Sequence, residues 1–341
     1  MSSATSMLPT LLYVVEQALE PLRGLLDDPA VVEISVNKPG QVFVERIGQA
    51  HMEFHSTPAM TAEAISQIAQ RVAAYTNQFV NSERPLLSAA LPTGERIQVV
   101  LPPAAPEGGT LSIRKQVTQH FTLEEYRDNG SLDKVAVSIG GLSQLDHDLI
   151  GHLQAQRIYE FLDTAIRNRV SILISGGTST GKTTFLNACL KTVDPHERIL
   201  TLEDTRELFP TQKNVVHLIA SKGDQGTANV TIQSLLESSL RMRPDRLFVG
   251  EIRGAEAFTF LRAINTGHPG SMSTVHADTP QGAYEQLVMM IMQGGMAGSF
   301  SKADLLSYLH MVIPVVIQLR RDGGRRGVSE IFFARQHDHA V

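Results

Sequence analysis

The sequence predicts an α/β protein with two domains, and three observations support that prediction. First, the chain has 341 residues, which is more than one hydrophobic core usually serves. Second, short apolar, β-branched runs alternate with helical patterns in the second half, as they do in a parallel sheet. Third, strand patterns in the first half pair through short turns, which indicates an antiparallel α+β domain.

The first domain is expected over residues 1–115, and residues 116–150 are expected to be a linker with one or two short helices. Apolar residues at near-helical spacing predict an amphipathic first helix, which Pro21 should kink or end. The expected elements are a helix at 8–26, strands at 31–36 and 41–46, a helix at 61–78, and strands at 86–91, 96–101 and 111–115.

The second domain is expected over residues 151–341, where strands and helices alternate. Most of its strands are fully apolar, as expected for strands that are covered on both faces. The expected helices are at 153–169, 184–191, 232–243, 255–266, 280–293 and 302–311. The expected strands are at 170–175, 198–202, 215–220, 246–250, before His276, and at 312–320 and 327–334.

The segment Gly176-Gly-Thr-Ser-Thr-Gly-Lys-Thr183 is a complete G-x-x-x-x-G-K-[ST] phosphate-binding loop between a predicted strand and a predicted helix. Its glycines allow the tight turn that directs successive backbone N–H groups at phosphate. Lys182 is placed to reach the β- and γ-phosphates, and the Thr183 hydroxyl is placed to bind Mg²⁺. The motif therefore predicts binding of a nucleoside triphosphate. The predicted nucleotide-binding residues are Gly176, Gly177, Thr178, Ser179, Thr180, Gly181, Lys182, Thr183 and Thr184.

Two predicted strands after the loop run into acidic residues, Glu203 and Glu251. The carboxyl ends of parallel strands are where open α/β sheets bind ligands. Because an ionised carboxylate accepts hydrogen bonds, Glu203 is a candidate to hold the attacking water and take its proton. Glu251 is a candidate to hold Mg²⁺ through water. The residues alone leave open which of the two acids is the general base.

Arginines and histidines add further candidates. Arg96 and Arg114 lie at strand ends in the first domain. They are candidates to reach a γ-phosphate across a domain or subunit boundary, and the alternative is a solvated surface role. Arg206 lies just behind the first acid and is a candidate catalytic residue. His268 and His276 frame a short strand, and we expect polar contacts to the nucleotide there, because zinc would need further Cys or His ligands.

Composition argues against several classes of protein. No apolar run reaches membrane-spanning length, and no secretory signal pattern opens the chain. The single cysteine, Cys189, cannot form an internal disulfide, which favours a reducing, cytosolic compartment. The net charge is −5, and residues 1–150 hold 10 Lys and Arg against 17 Asp and Glu. An acidic first half is not expected to bind nucleic acid in a sequence-specific way.

Four segments occur in the order seen in secretion ATPases: 176–183, 201–209, 249–256 and 266–277. On these segments, and more weakly on residues 91–96 and 112–115, the chain resembles the VirB-type hexameric traffic ATPases of bacterial type IV secretion systems. The resemblance implies a RecA-like core and hydrolysis of ATP with Mg²⁺ to power substrate transport or pilus assembly. It also implies that Glu203 and Glu251 share water activation and magnesium handling, and that Arg96 and Arg114 contact the nucleotide.

The same resemblance implies a homo-oligomer, expected to be a hexamer, with the N-terminal domains stacked as a second ring. It further implies a peripheral position at the cytoplasmic face of the bacterial inner membrane, beside other secretion ATPases and inner-membrane components. A pilus extension or retraction motor is the first alternative. A RecA-like DNA helicase is the second, although the basic groove and stacking aromatics that it needs are not evident. A nucleotide-gated scaffold is opposed by the intact Lys182, Thr183 and Glu251, and a GTPase by the lack of an N-K-x-D element.

Overall fold

The N-terminal half forms a six-stranded antiparallel sheet in a computed structural model that describes residues 4–116, 121–133, 135, 141–221, 227–295, 298 and 300–338. Its strands are β1 (Val31–Lys38), β2 (Gln41–Arg46), β3 (Glu53–Ser56), β4 (Leu86–Ala90), β5 (Arg96–Val100) and β6 (Thr110–Arg114). The strand order is β3-β2-β1-β6-β5-β4, and each neighbouring pair is antiparallel. Both predicted hairpins are confirmed, whereas β3 was not predicted, because it has no buried residue to give it an apolar pattern.

Helices α1 (Ala4–Ala18), α2 (Arg23–Asp27) and α3 (Ala62–Tyr75) accompany this sheet. Pro21 lies in a short 3₁₀ turn, Glu20–Leu22, so the chain does break at the predicted place. Thr61 caps α3 by accepting a hydrogen bond from the Ala64 N–H. The apolar residues of α1, α3 and the sheet form one buried cluster, which gives the N-terminal half a core of its own.

The segment between the two sheets carries helices α4 (Leu123–Asp128), α5 (Gln144–Gln154) and α6 (Ile158–Arg167). The prediction of a single helix over 153–169 is wrong, because Gln156 adopts a positive φ of 56° and separates α5 from α6. Of the predicted linker, residues 117–120, 134 and 136–140 lie outside the described residues.

The C-terminal half contains a seven-stranded sheet. Its strands are β7 (Ile172–Gly176), β8 (Ile199–Glu203), β9 (Val215–Ile219), β10 (Arg246–Val249), β11 (Met272–Val275), β12 (Val315–Asp322) and β13 (Arg325–Phe333). The order is β13-β12-β7-β11-β10-β8-β9, in which β13 alone runs antiparallel to its neighbour. The carboxyl ends of the six parallel strands therefore meet along one edge of the sheet.

Two buried apolar clusters, one on each face, cover this sheet. The helices that contribute to them are α7 (Lys182–Thr192), α8 (Ile232–Ser239), α9 (Glu256–Asn265), α10 (Pro280–Gln293), α11 (Lys302–Val312) and α12 (Ala334–Asp338), together with α5 and α6. Fully buried strands between two helical layers explain why the strand sequences are apolar without alternation. Among the described residues, no helix is long and apolar enough to cross a membrane.

The two halves are joined by a buried polar network. The Arg198 guanidinium, which is fully buried, donates to the side-chain oxygens of Asn37 in β1 and Asn214 before β9. Arg243 forms a two-point ion pair with Glu45 of β2, at 2.5 and 2.7 Å. One core cluster of the second sheet also includes three residues of the N-terminal half, Val100, Ala104 and Ala105. Because the two halves share this core, the predicted domain boundaries stay predictions.

Candidate functional site

The phosphate-binding loop connects the carboxyl end of β7 to the first turn of α7. Gly181 has a φ of +94°, a conformation that residues with a Cβ rarely adopt. Gly176 is needed for space, because a Cβ there would stand 2.9 Å from the carbonyl oxygen of Leu319 in β12. The turn places the backbone of the loop at the amino end of α7, where helix N–H groups and the helix dipole favour an anion.

The Lys182 side chain is buried and lies within the loop. Its ammonium donates to the carbonyl oxygens of Gly176 at 2.8 Å and Gly177 at 3.2 Å, and Nδ1 of His276 lies 3.2 Å away. Burial lowers the pKa of Lys182, while the nearby Glu251 carboxylate acts to raise it. Since an ammonium can only donate, the ring nitrogen of His276 that faces Lys182 is on the accepting side of this contact.

A cavity of about 430 Å³ opens at this edge of the sheet. Its walls come mainly from the phosphate loop, the end of β8, the turn after β10 and the end of β11, with Ile232 at the start of α8 and Arg326 from the β12–β13 hairpin. The lining residues that carry charge or a titratable group are Lys182, Glu203, Asp204, Glu207, Glu251, Arg253, His276 and Arg326. The structure therefore brings Lys182, Thr183, Thr184, Glu203, Glu251 and His276 together, as the sequence predicted.

Glu203 ends β8 with one oxygen held and the other without a partner. Its Oε1 accepts hydrogen bonds from the backbone N–H groups of Glu207 and Leu208, both at 2.9 Å. Its Oε2 is buried and, within the described part of the chain, has no hydrogen-bond partner. Burial raises the pKa of this carboxyl above its usual value, although the two backbone donors oppose the shift. Glu203 thus lines the cavity as a desolvated carboxylate, with one oxygen fixed by two backbone donors and the other shut off from solvent.

Glu251 differs, since a side-chain nitrogen lies near each of its two oxygens. Arg253 donates to Glu251 Oε2 at 2.5 Å and to Asp204 at 2.8 Å, so it bridges two acids of the cavity. Nε2 of His276 lies 2.8 Å from Glu251 Oε1, but its direction does not satisfy hydrogen-bond geometry. The bonds of Arg253 to Glu251 and Asp204 give this arginine a pairing role in the cavity.

Two predicted site residues lie elsewhere in the chain. Arg206 pairs with Glu107 of the N-terminal half at 3.1 Å and lines a different cavity. His268 precedes β11, at the opposite end of that strand from His276, and its Nδ1 lies 2.8 Å from the Pro244 carbonyl oxygen. Burial lowers the pKa of His268. The structure therefore does not bring Arg206 and His268 to the phosphate-loop cavity of their own chain, because each side chain is directed to a partner outside it. The catalytic role of Arg206 and the nucleotide contact of His268 stay predictions.

Arg96 and Arg114 line another cavity, of about 450 Å³, between the N-terminal sheet and the segment that follows α8. They are opposite each other on β5 and β6, and Glu33 of β1 lies opposite Arg114. Neither arginine lines the phosphate-loop cavity of its own chain. In the described arrangement, Arg96 and Arg114 therefore do not cover the phosphate-loop cavity of their own chain. Their predicted contact with the nucleotide stays a prediction.

Sequence reasoning missed Arg326, which comes from the β12–β13 hairpin and lines the phosphate-loop cavity. The signal was present in Arg320-Arg-Asp-Gly-Gly-Arg-Arg326, a turn flanked by four arginines, but the pattern does not say which part of the fold the turn approaches.

The described residues contain no cluster of three or more His, Cys, Asp or Glu side chains that could hold a metal ion alone. The cavity nevertheless suits Mg²⁺, because it combines the Thr183 hydroxyl with acidic side chains. Two of their oxygens, Glu203 Oε2 and Glu251 Oε1, are buried without a hydrogen-bond partner among the described residues. Mg²⁺ in nucleotide sites is held by one or two protein ligands together with phosphate oxygens and water. The donor set thus fits an ion that arrives with a nucleotide.

Comparison with known proteins gives one consistent result. The family model described as type II/IV secretion system protein matches residues 15–321. The chain is 37% identical to the type IV secretion system protein VirB11 of Bartonella henselae, over 94% of this chain and 93% of that protein. It is 32% identical to protein VirB11 of Agrobacterium fabrum, over 93% and 92%. The crystal structure of the VirB11 ATPase from the Brucella suis type IV secretion system, in complex with sulphate, superposes with a TM-score of 0.90 at 33% identity and covers 98% of both chains.

Proposed function

The chain belongs to the type II/IV secretion system protein family, and we propose that it hydrolyses ATP to power a bacterial type IV secretion system. The observation that carries the proposal is the single cavity that joins a complete phosphate loop to Glu203, Glu251 and His276. In this proposal ATP hydrolysis drives mechanical work, which is either transport of a macromolecular substrate or assembly of a pilus. We further propose a hexameric ring at the cytoplasmic face of the inner membrane, where it would meet inner-membrane components and other ATPases of the system.

In this proposal Lys182 contacts the β- and γ-phosphates, and the loop N–H groups hold the remaining phosphate oxygens. Thr183 and Glu251 would hold the Mg²⁺ that accompanies ATP, Glu251 through water, and the ion would offset phosphate charge. Glu203 is assigned as the general base, because this carboxylate lines the cavity and is held in place through Oε1 by two backbone donors, so it can take a proton from a water that enters with the nucleotide. A raised pKa makes this carboxylate a better proton acceptor near neutral pH.

The phosphate loop has a direct test. Lys182→Ala should abolish ATP turnover, because the γ-phosphate loses its fixed cation, while the fold is kept. Turnover is measured as phosphate release, and the fold is checked by circular dichroism and thermal unfolding. Lys191→Ala, in the last turn of the same helix, is a matched control that should hydrolyse ATP normally. Turnover near the wild-type rate by a folded Lys182→Ala protein would refute the site.

Arg96 and Arg114 are proposed to complete the site of a neighbouring copy. A movement of the N-terminal sheet towards its own phosphate loop would break the Arg198 network and the Arg243–Glu45 pair and would remove Val100 from the C-terminal core. Those groups are buried or half-buried, so their separation is costly. A neighbour in a ring can instead bring the two arginines to the γ-phosphate while both interfaces stay intact.

Mixing two inactive variants tests this arrangement. Arg96→Ala combined with Arg114→Ala removes the arginines and keeps the phosphate loop, whereas Lys182→Ala does the reverse. Lys182→Ala alone should be inactive, and the double arginine variant alone should lose about a thousandfold in turnover, the scale of a missing arginine finger. In a mixed ring, a subunit with an intact phosphate loop can lie next to a subunit with intact arginines, and the two together form a complete site. Activity should therefore return in the mixture and should rise with protein concentration. A mixture as inactive as its components would contradict the proposal.

A further inference from the structure

The β12–β13 hairpin extends beyond the end of β7. Strand β12 pairs with β7 from Val315 to Leu319, and the last pair joins Leu319 to Gly176, where the phosphate loop begins. Residues 320–328 continue past that point, paired with each other across the hairpin. The tip of the hairpin is therefore held beside the phosphate loop by the sheet itself, which fixes its position more firmly than a free loop would be fixed.

The tip is strongly basic. It carries Arg320, Arg321, Arg325 and Arg326 against a single acid, Asp322. The register places Arg321 opposite Arg326, and Asp322 opposite Arg325. Residues directly opposite on antiparallel strands share one face, and like charges in such a pair are unfavourable. Within the described part of the chain, no carboxylate lies within ion-pair distance of Arg321 or Arg326, so an anion on that face would relieve their repulsion.

Arg326 contacts the loop directly. Its Cδ stands 3.6 Å from the point that a Cβ on Gly181 would occupy, and its Cβ stands 4.0 Å from that point. It is the one residue of the hairpin that lines the phosphate-loop cavity within the described chain. The aliphatic stem of Arg326 therefore rests on the last glycine of the motif, and the side chain forms part of the cavity wall.

The direction of approach identifies which part of a nucleotide Arg326 would meet. Strand β12 lies on one side of β7, whereas β11, β10 and β8, which deliver His276, Glu251 and Glu203, lie on the other. Groups that act on the γ-phosphate, its metal and the attacking water belong on the acidic side. A cation on the opposite side is nearer to the α- and β-phosphates, which the backbone of the loop cradles.

We propose that Arg326, with Arg321 behind it, binds the α- and β-phosphates of the nucleotide held by its own phosphate loop. The inference rests on the proposed function, because it requires a nucleotide in that cavity. An arginine that contacts phosphates common to ATP and ADP contributes equally to both, so it lowers the dissociation constants without changing the rate of the chemical step. This separates Arg326 from Arg96 and Arg114, which are proposed to act on the γ-phosphate.

The test compares two neighbouring arginines. Arg326→Ala should weaken binding of ADP and of a non-hydrolysable ATP analogue by about tenfold each, the scale of one charge-assisted hydrogen bond. The kcat for ATP should stay within about twofold while KM rises. Arg325→Ala is the matched control, since Arg325 lies on the other face opposite Asp322, and it should leave both affinities unchanged. Arg326→Lys should recover part of the loss, because it keeps the charge without the planar guanidinium.

Affinities are measured by titration calorimetry, and thermal unfolding reports the fold of each variant. Equal affinities in the Arg326→Ala and Arg325→Ala proteins would overturn the inference. So would a loss confined to the ATP analogue with a fall in kcat, since that result would place Arg326 at the γ-phosphate. The proposed function is judged separately by Lys182→Ala: if that change abolishes turnover and Arg326→Ala changes no affinity, only the role of Arg326 is wrong.

Discussion

Strands β8 and β10 carry arginine at their amino ends and glutamate at their carboxyl ends, and the two ends differ in how their polar groups are satisfied. At the amino ends, Arg198 and Arg246 are fully buried and donate to protein acceptors from several directions. At the carboxyl ends, Glu203 and Glu251 each keep one buried oxygen without a hydrogen-bond partner in the described parts of the chain, and the other oxygen of Glu251 is held by the largely exposed Arg253. The amino ends are therefore organised for stability, and the carboxyl ends retain capacity to bind a ligand.

This difference shows that charge in a strand is not by itself a sign of function. Arg246 makes a two-point pair with Glu197, at 2.7 and 2.8 Å, and donates to the Ile166 carbonyl oxygen. Those three acceptors leave little capacity for a ligand. The carboxyl end has the opposite property, because an incompletely satisfied carboxylate in a cavity is a group that water or a metal can complete.

The largest expected effect is on stability at the amino end. Arg246→Met should lower the free energy of unfolding by about 3–5 kcal/mol, because it leaves the buried Glu197 carboxylate without its main partner. Urea unfolding measures the loss, and turnover per folded molecule at low temperature should stay within about twofold. Arg167→Met removes an exposed arginine that pairs with Asp163, so it is the control and should cost less than about 1 kcal/mol. A stable but inactive Arg246→Met protein would contradict the view that the amino ends of these strands serve stability and the carboxyl ends serve binding.

The second-largest expected effect is on ATP hydrolysis, when an acid at the carboxyl end of strand β8 or β10 is changed. Glu203→Gln and Glu251→Gln should each slow hydrolysis by roughly a hundredfold while ATP binding stays measurable. If Glu203 is the base, the magnesium dependence should shift in the Glu251→Gln protein alone. Glu207→Gln changes an exposed acid of the same cavity and serves as the control. Equal magnesium shifts in both variants would contradict the assignment of Glu203.

The same variants separate activity from stability. Burial raises the pKa of Glu203, so its ionisation opposes folding, and that part of the stability is lost as the pH rises through the raised value. Glu203→Gln should therefore unfold at a temperature at least as high as the wild type at pH 8. A lower melting temperature would mean that Glu203 contributes to the fold as the arginines do.

Much of this arrangement could be predicted from the sequence, because it depends on local patterns. The glycines of the phosphate loop and the acids that follow β8 and β10 are fixed by their own strands, so a parallel sheet brings Lys182, Glu203 and Glu251 to one edge. His276 follows the same rule, since it comes directly after β11. These residues needed only the correct assignment of strands and their common direction.

The remainder depends on contacts between distant segments. Arg206 was expected at the site because it follows Glu203 closely, yet its partner, Glu107, lies in the other half of the chain. His268 precedes β11, at the opposite end of that strand from the phosphate-loop cavity, and its contact is the Pro244 carbonyl oxygen. Arg326 reaches Gly181 only because the hairpin overruns β7, and that overrun is set by pairing register, which a single sequence does not give.

The smallest expected effect tests whether every buried polar group at the amino ends of strands β8 and β10 has a partner. Glu33 of β1 is 2% exposed beside Arg198, and its Oε1 has no hydrogen-bond partner in the regions that the structure describes. Burial raises the pKa of Glu33 to about 7, although Arg198, Arg114 and Arg243 face it and oppose the shift, while Glu45 adds to it. Below this pH the folded protein holds a proton that the unfolded chain releases near its ordinary pKa. Stability from this group is therefore present at low pH and lost as the pH rises through about 7.

Between pH 6 and pH 8 the wild type should lose about 1 kcal/mol more in the free energy of unfolding than Glu33→Gln, which keeps the shape of the side chain without its charge. Urea unfolding at the two pH values measures the difference, and Glu63→Gln on the exposed face of α3 controls for a general loss of negative charge. The effect is smaller than that of Arg246→Met because Glu33 changes its protonation instead of remaining an unpaired buried ion. If the stability of the two proteins responds alike to pH, then Glu33 is ionised at both pH values and its charge is compensated by Arg198. In that case every buried polar group at the amino ends of these strands has a partner.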